Sequence, residues 1–166
     1  ILASLFYEPS TRTRFSFEAA MIRLGGGVIS CADVQASSVA KGETLADTIR
    51  ILHSYADVII IRHPLEGSAR AAADYSSVPI INAGDGAHEH PTQALLDAMT
   101  IRRHKGTIAG LTVAMIGDIA HSRVVRSNLH LLTRMGARVR LAGPRTMVPR
   151  GIGTLAPDEG LALLER

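Results

Sequence analysis

A single cysteine, Cys31, stands among 166 residues. It has no second cysteine to bridge to, which excludes a disulfide-stapled secreted scaffold. Long apolar runs are missing as well. None approaches the ~18 residues of a membrane span, and no leader-like segment opens the chain. A soluble cytoplasmic protein without a membrane partner is therefore expected. Tryptophan is absent, and the other aromatics, Phe6, Tyr7, Phe15, Phe17, Tyr55 and Tyr75, all lie in the first 75 positions. Aromatics ordinarily supply much of a core's buried area, so the rest of the chain is oddly poor in them. The first residue is Ile1, inside an apolar run, rather than a methionine. The stretch is expected to be a window on a longer protein.

A strong charge of either sign is also lacking. Eighteen Lys+Arg against fifteen Asp+Glu give a formal net charge of +3. The bases are dispersed, with no block or stripe of the kind a nucleic-acid binder carries. Several fall where strands should end, which suits small anionic substrates better than a polyanion. The length permits one ordinary domain or two small ones, with no need of a disulfide or metal to fold.

What is present is alternation. Short apolar runs at residues 2–7, 28–31, 57–61, 79–82, 111–116 and 138–142 read as strands. Segments of helical period lie between them at 11–24, 45–56, 69–75, 91–104 and 122–135. The run Asp57-Val58-Ile59-Ile60-Ile61 is continuous, as in a strand covered on both faces. Strands alternating with helices imply βαβ units and parallel sheets. The fold class is thus α/β: a doubly wound parallel sheet over residues 1–105, followed from 106 to 166 by the beginning of a second α/β domain. Residues 161–166 read as a helix cut short.

In open α/β sheets, ligands bind beyond the carboxyl ends of the strands. One such segment, Ser10-Thr11-Arg12-Thr13-Arg14, sets hydroxyls and guanidiniums at a strand-to-helix junction. Free N–H groups and the helix dipole favour anions there. The bland alternative is an N-cap with solvent-facing arginines, and Arg14 should pair with Glu18 one turn on in either case. Arg62-His63-Pro64 leaves the buried strand at the ligand edge; alternatively, Arg62 simply reaches solvent. In His88-Glu89-His90-Pro91-Thr92-Gln93, Pro91 should be the first helical residue and His90 its cap, which puts His90 and Gln93 at a helix mouth. A zinc site is disfavoured, because two close histidines lack further ligands. Gly117-Asp118 through Ser122-Arg123 also opens a helix but lacks the G-x-G-x-x-G of a dinucleotide turn. Residues 37–44, with Lys41, read from composition alone as a solvated linker.

Taken together these motifs resemble the transcarbamoylase family, on its aspartate branch. The matching stretches are residues 6–18, Lys41-Gly42-Glu43-Thr44-Leu45-Ala46-Asp47-Thr48, Arg62-His63-Pro64, Asn82-Ala83-Gly84-Asp85-Gly86, His90-Pro91-Thr92-Gln93 and the segment from Gly117-Asp118 to Ser127-Asn128. They occur in family order.

The resemblance implies transfer of a carbamoyl group from carbamoyl phosphate to the amine of L-aspartate, with no metal and no cofactor. It implies that Ser10, Thr11, Arg12 and Thr13 hold the phosphate. Thr13, Arg62 and His90 would polarise the carbonyl as catalytic donors, and Gln93 would orient the carbamoyl NH₂. Ser37 and Lys41 look like the loop residues that enter a neighbouring subunit's site in a homotrimer. Lys41 and Arg123 would serve aspartate, with Glu8 as the arginine's partner. Ornithine or another amine remains an alternative acceptor, although ornithine enzymes typically carry cysteine where Thr92 stands. A non-catalytic anion-binding module is the alternative from another class. The later aspartate-site residues of the family have no counterpart after Ala142, so the isolated piece is expected to be inactive.

Overall fold

The structure is a computed structural model that describes residues 1–31 and 41–152, together with the backbone of 161–164. It falls into two compact units, Ile1–Gly86 and Ala87–Arg166.

The first unit contains β1 (Leu2–Phe6), α1 (Thr11–Arg23), β2 (Val28–Cys31), α2 (Leu45–Leu52), β3 (Val58–His63), α3 (Ser68–Tyr75) and β4 (Ile80–Asp85). Its strands form one parallel sheet in the order β2-β1-β3-β4. Side chains alternate across a strand, and the two faces bury different sets. Ala3 and Leu5 of β1 and Ile59 and Ile61 of β3 pack with Ile49 of α2 and Ala69 and Ala72 of α3. Leu2, Phe6 and Ile60 form the opposite cluster, covered by Phe17 and Met21 of α1. The sheet is therefore doubly wound, and both faces of β1 and β3 are covered. That is why the stretch Val58–Ile61 is unbroken by polar residues.

α1 departs from a simple amphipathic reading. Phe17 and Met21 pack on the sheet, while Phe15 and Ile22 are 58% and 63% exposed. Its sequence carries two apolar stripes, and the sheet takes up one. The ion pair expected along it is present, with Arg14 Nε 2.8 Å from Glu18 Oε1.

The second unit holds α4 (Pro91–Lys105), β5 (Thr112–Ile116), α5 (Arg123–Arg134), β6 (Arg138–Ala142), a short 3-10 turn (Arg145–Met147) and β7 (Leu161–Leu164). Its parallel sheet runs β5-β6-β7. Leu129 and Leu132 of α5, Val139 and Leu141 of β6 and Ala98 of α4 share its core. By compactness the chain divides ahead of α4; the expected boundary at 105/106 lies at that helix's other end.

One expected element is corrected. Leu161–Leu164, expected to start a helix, form a strand in register with Val139 through Ala142 of β6. A four-residue apolar run fits either period, and pairing with β6 decides between them.

Candidate active site

The carboxyl ends of β1 and β3 lie side by side. Phe6 is in register with Arg62, and the Tyr7 N–H donates to the Arg62 carbonyl at 2.8 Å. The chain leaving β1 passes Glu8 and enters α1 behind Ser10, its N-cap. The Ser10 side chain makes no capping bond, and no acidic residue occupies the first turn. The helix mouth thus keeps its N–H groups and its dipole uncompensated by local carboxylates. Ser10 and Thr13 are half-buried there, and Thr11 and Arg12 are exposed.

On β3, Val58 and Ile60 belong to the α1-side cluster. The two-residue period then turns Arg62 toward α1 as well. Its side chain is only 10% exposed. Nη2 donates to Glu8 Oε1 at 2.6 Å, and Nη1 makes a long bond of 3.5 Å to the Ala83 carbonyl. Its Nε is buried and finds no acceptor among the described residues. A buried guanidinium with an unmet donor, beside a helix mouth rich in hydroxyls, is an arrangement suited to an anionic, oxygen-rich ligand.

His63 follows, its ring tilted at 52° against that of Tyr7 with centroids 4.7 Å apart. Its Nδ1 accepts the Leu65 N–H at 3.0 Å, and burial holds its pKa below the ordinary 6.5. Asp85, 2% exposed, closes the far side of this turn by accepting the Gly67 N–H at 2.9 Å.

Three further expected site residues, His90, Gln93 and Arg123, belong to the second unit. His90 is the N-cap of α4 with Pro91 at the first helical turn, as read from the sequence. His90 is 7% exposed, and its N–H donates to Ser127 Oγ of α5 at 2.9 Å. The Gln93 amide donates to Asp97 Oδ1 at 2.9 Å. Asp97 also accepts from Asn128 at 2.7 Å, so α5 braces the first turns of α4. Arg123 opens α5, whose cap Ser122 accepts the Val125 N–H at 3.3 Å. In the preceding loop, contacts from His121 hold the Asp118 carboxyl below its usual range. Lys41 stands exposed ahead of α2, and Ser37 lies outside the described residues.

The first unit therefore brings Ser10 through Thr13 and Arg62 to adjacent strand ends, and the second sets His90, Gln93 and Arg123 at helix starts. Sequence reasoning did not foresee the pairing of Glu8 with Arg62. It also assigned no role to Asn82 or Asp85. The turn residues Asn82, Gly84, Asp85 and Gly86 after an apolar run were the available signal. Among the described residues, no group of three His, Cys, Asp or Glu could hold a metal ion. No helix among them is long and apolar enough to cross a membrane.

A family model described as "Aspartate/ornithine carbamoyltransferase, carbamoyl-P binding domain" matches residues 1–103. The chain belongs to this carbamoyltransferase family. It is 60% identical over 156 residues to the aspartate carbamoyltransferase catalytic subunit of Rhodospirillum rubrum, covering 93% of the chain and 49% of the relative. Identity to the same subunit of Thermoplasma acidophilum is 56% over 147 residues, or 89% of the chain and 48% of the relative. Among solved structures, a Trypanosoma cruzi aspartate transcarbamoylase in complex with carbamoyl phosphate and aspartate superimposes with a TM-score of 0.86 at 49% identity. That match covers 93% of this chain and 49% of the other. This carbamoyltransferase chain thus spans about half the length of the curated relatives it matches. The matched family model takes in β1 through most of α4 and so includes every expected phosphate and carbonyl contact.

Proposed function

We propose that the full-length protein carrying this chain is an aspartate carbamoyltransferase, which moves the carbamoyl group of carbamoyl phosphate onto the amine of L-aspartate. The observation that carries this reading is Arg62, buried with an unmet Nε donor beside the Ser10–Thr13 helix mouth. The phosphate sits at that mouth, held by Ser10, Thr11, Arg12 and Thr13. Thr13, Arg62 and His90 donate to the carbonyl oxygen, which gains negative charge as the amine nitrogen adds to carbon. Gln93 orients the carbamoyl NH₂ through its amide oxygen, since its NH₂ already serves Asp97. The C–N bond forms, the C–O bond to phosphate breaks, and the amine sheds a proton. Holding two small substrates in attacking geometry supplies much of the acceleration.

Lys41 and Arg123 bind the aspartate carboxylates. The loop that carries Ser37 and Lys41 reaches into a neighbouring subunit's site, which makes a homotrimer the working form. Residues 1–105 act as the carbamoyl-phosphate domain and 106–166 begin the aspartate domain, so the piece alone lacks turnover. A cytoplasmic location goes with two small polar substrates. The support is the family membership and the ligands named for the Trypanosoma cruzi structure, carbamoyl phosphate and aspartate.

The test is turnover by the full-length protein, supplied with carbamoyl phosphate and either aspartate or ornithine. N-carbamoyl-aspartate and phosphate in equal amounts are expected. Citrulline from ornithine, with nothing from aspartate, would reverse the choice of amine. No phosphate release with either would leave a binding module.

A further inference from the structure

We propose that Asn82 and Asp85 are positioning residues for Arg62, and that they act by holding a bulge in β4 that presents the Ala83 carbonyl to the guanidinium. The inference rests on Arg62 having the catalytic role given above.

The pairing of β3 with β4 runs Ile59↔Ile80, Ile60↔Ile81 and Ile61↔Asn82, then jumps to His63↔Asp85. Arg62 thus stands opposite two residues, Ala83 and Gly84. A strand with one extra residue bends and redirects its groups, which is how bulges near active sites commonly work. Gly84 has φ +119°, a conformation that side chains rarely adopt, so glycine is required at the bend.

Asn82 spans the bulge. Its Oδ1 accepts the Gly84 N–H at 2.8 Å, and its Nδ2 donates to Asp85 Oδ1 at 3.1 Å. With both ends engaged, the amide has one allowed orientation. The other Asp85 oxygen accepts the Gly67 N–H at 2.9 Å. This ties the bulge to the turn that carries the chain away from Arg62. The Gly86 N–H adds a second tie to the His63 carbonyl at 2.9 Å. The end of β3 and the turn after it are thus both fixed to the end of β4.

The outcome is seen at the guanidinium. Nη1 points to the Ala83 carbonyl at 3.5 Å while Nη2 is held by Glu8. Two acceptors on different strand ends define the plane of the fork and so where Nε points. Unbulged, β4 would return the Ala83 carbonyl to the regular ladder alternation. A carbonyl-polarising donor depends on such placement, because misplacement by about 1 Å can cost ~100-fold in rate.

The test uses the full-length enzyme with Asp85→Asn, Asn82→Asp and the double exchange Asn82→Asp/Asp85→Asn. Either single change sets like groups against each other, amide NH₂ against NH₂ or carboxylate against carboxylate. The double exchange restores one donor facing one acceptor and keeps acceptors for the Gly84 and Gly67 N–H groups. Each folded single variant is expected to lose about 10- to 100-fold in kcat. The Kd for inorganic phosphate should stay within about 3-fold of the parent, since Ser10 through Thr13 are untouched. The exchange should return kcat to within about 3-fold. If Asn82→Asp does not fold, Asp85→Asn and the exchange carry the comparison.

Parental kcat in a folded single variant overturns the proposal. So does a loss that the exchange fails to rescue, or one matched by equal loss of phosphate binding. Crystal structures of parent and Asp85→Asn give a readout independent of turnover. A guanidinium displaced by about 1 Å supports the assignment, and an unmoved one overturns it. A parent that transfers no carbamoyl group, with Arg62 still moving when Asp85 changes, sinks the functional reading alone.

Discussion

Arg62 and Glu8 meet at 2.6 Å, one at the end of β3 and the other in the segment leaving β1. They are 54 positions apart in sequence, and parallel pairing of Phe6 with Arg62 makes them neighbours. The pair is unequally buried, the arginine side chain 10% exposed and the glutamate 29%. Glu8 compensates a charge that the sheet has largely removed from water. Truncating one member of such a pair strands the other, which costs more than the pair itself contributes.

Glu8→Gln keeps the shape and an acceptor oxygen but removes the charge. We expect the full-length protein to lose about 1–3 kcal/mol of stability, the range for a hydrogen bond to a charged group. The urea unfolding midpoint at neutral pH measures this. A midpoint equal to the parent's would show that the guanidinium is satisfied without the carboxylate.

Much of this arrangement is legible in the sequence because it follows from local rules. Continuous apolar residues at Ile59, Ile60 and Ile61 mark a strand covered on both faces, and the two packed clusters cover it. Proline at 91 marks the first helical turn and makes His90 the cap. Arg14 and Glu18, four apart, meet as helical spacing requires. The rest depends on register, which no local rule states. Periodicity in β3 and β4 does not reveal that Arg62 faces two residues of β4, so the turn residues Asn82 and Asp85 mark a bend without showing what it serves. For α1 the pattern held two apolar stripes, and nothing local said which the sheet would take. The 161–164 strand exists through its neighbour β6, a partner about twenty residues upstream.

If Arg62 and His90 polarise the carbonyl, their loss should appear in the transition state more than in binding. For Arg62→Ala and His90→Ala in the full-length enzyme we expect kcat to fall by the equivalent of about 2.7–4 kcal/mol, roughly 100- to 1,000-fold. The phosphate Kd should change far less. Steady-state kinetics with carbamoyl phosphate and aspartate, alongside phosphate titration, separate the two. Unchanged kcat in both variants would refute the assigned roles.

Gly86 and Gly42 offer a matched pair of substitutions. Both have positive φ, +55° and +93°. A Cβ on Gly86 would lie 2.8 Å from the Pro64 carbonyl oxygen and 3.0 Å from the Glu66 nitrogen, both backbone atoms; one on Gly42 would meet nothing within 4 Å among the described residues. Gly42→Ala should therefore cost only conformational strain, about 1 kcal/mol. Gly86→Ala adds a clash with the turn after β3, at Pro64 and Glu66, and should cost about 2–4 kcal/mol. Equal losses in denaturant unfolding would mean that the turn yields without resistance.

His63 gives the N-terminal unit a pH dependence whose sign can be worked out. Burial holds its folded pKa below 6.5, and its Nδ1 lone pair is engaged by the Leu65 N–H at 3.0 Å. The neutral ring is the form that fits. In the unfolded chain the ring takes a proton near pH 6.5, while the folded ring resists until lower pH. Its contribution to stability is thus complete above 6.5 and is lost as pH falls through the folded value. Unfolding midpoints of the full-length protein should drop between pH about 7.5 and 5, where histidine is the side chain that titrates. His63→Asn supplies an oxygen for the Leu65 N–H and cannot take up the proton. That variant should keep most of the stability measured at low pH and lose less of it on acidification than the parent. Equal slopes in both proteins would assign the acid sensitivity to a group other than His63.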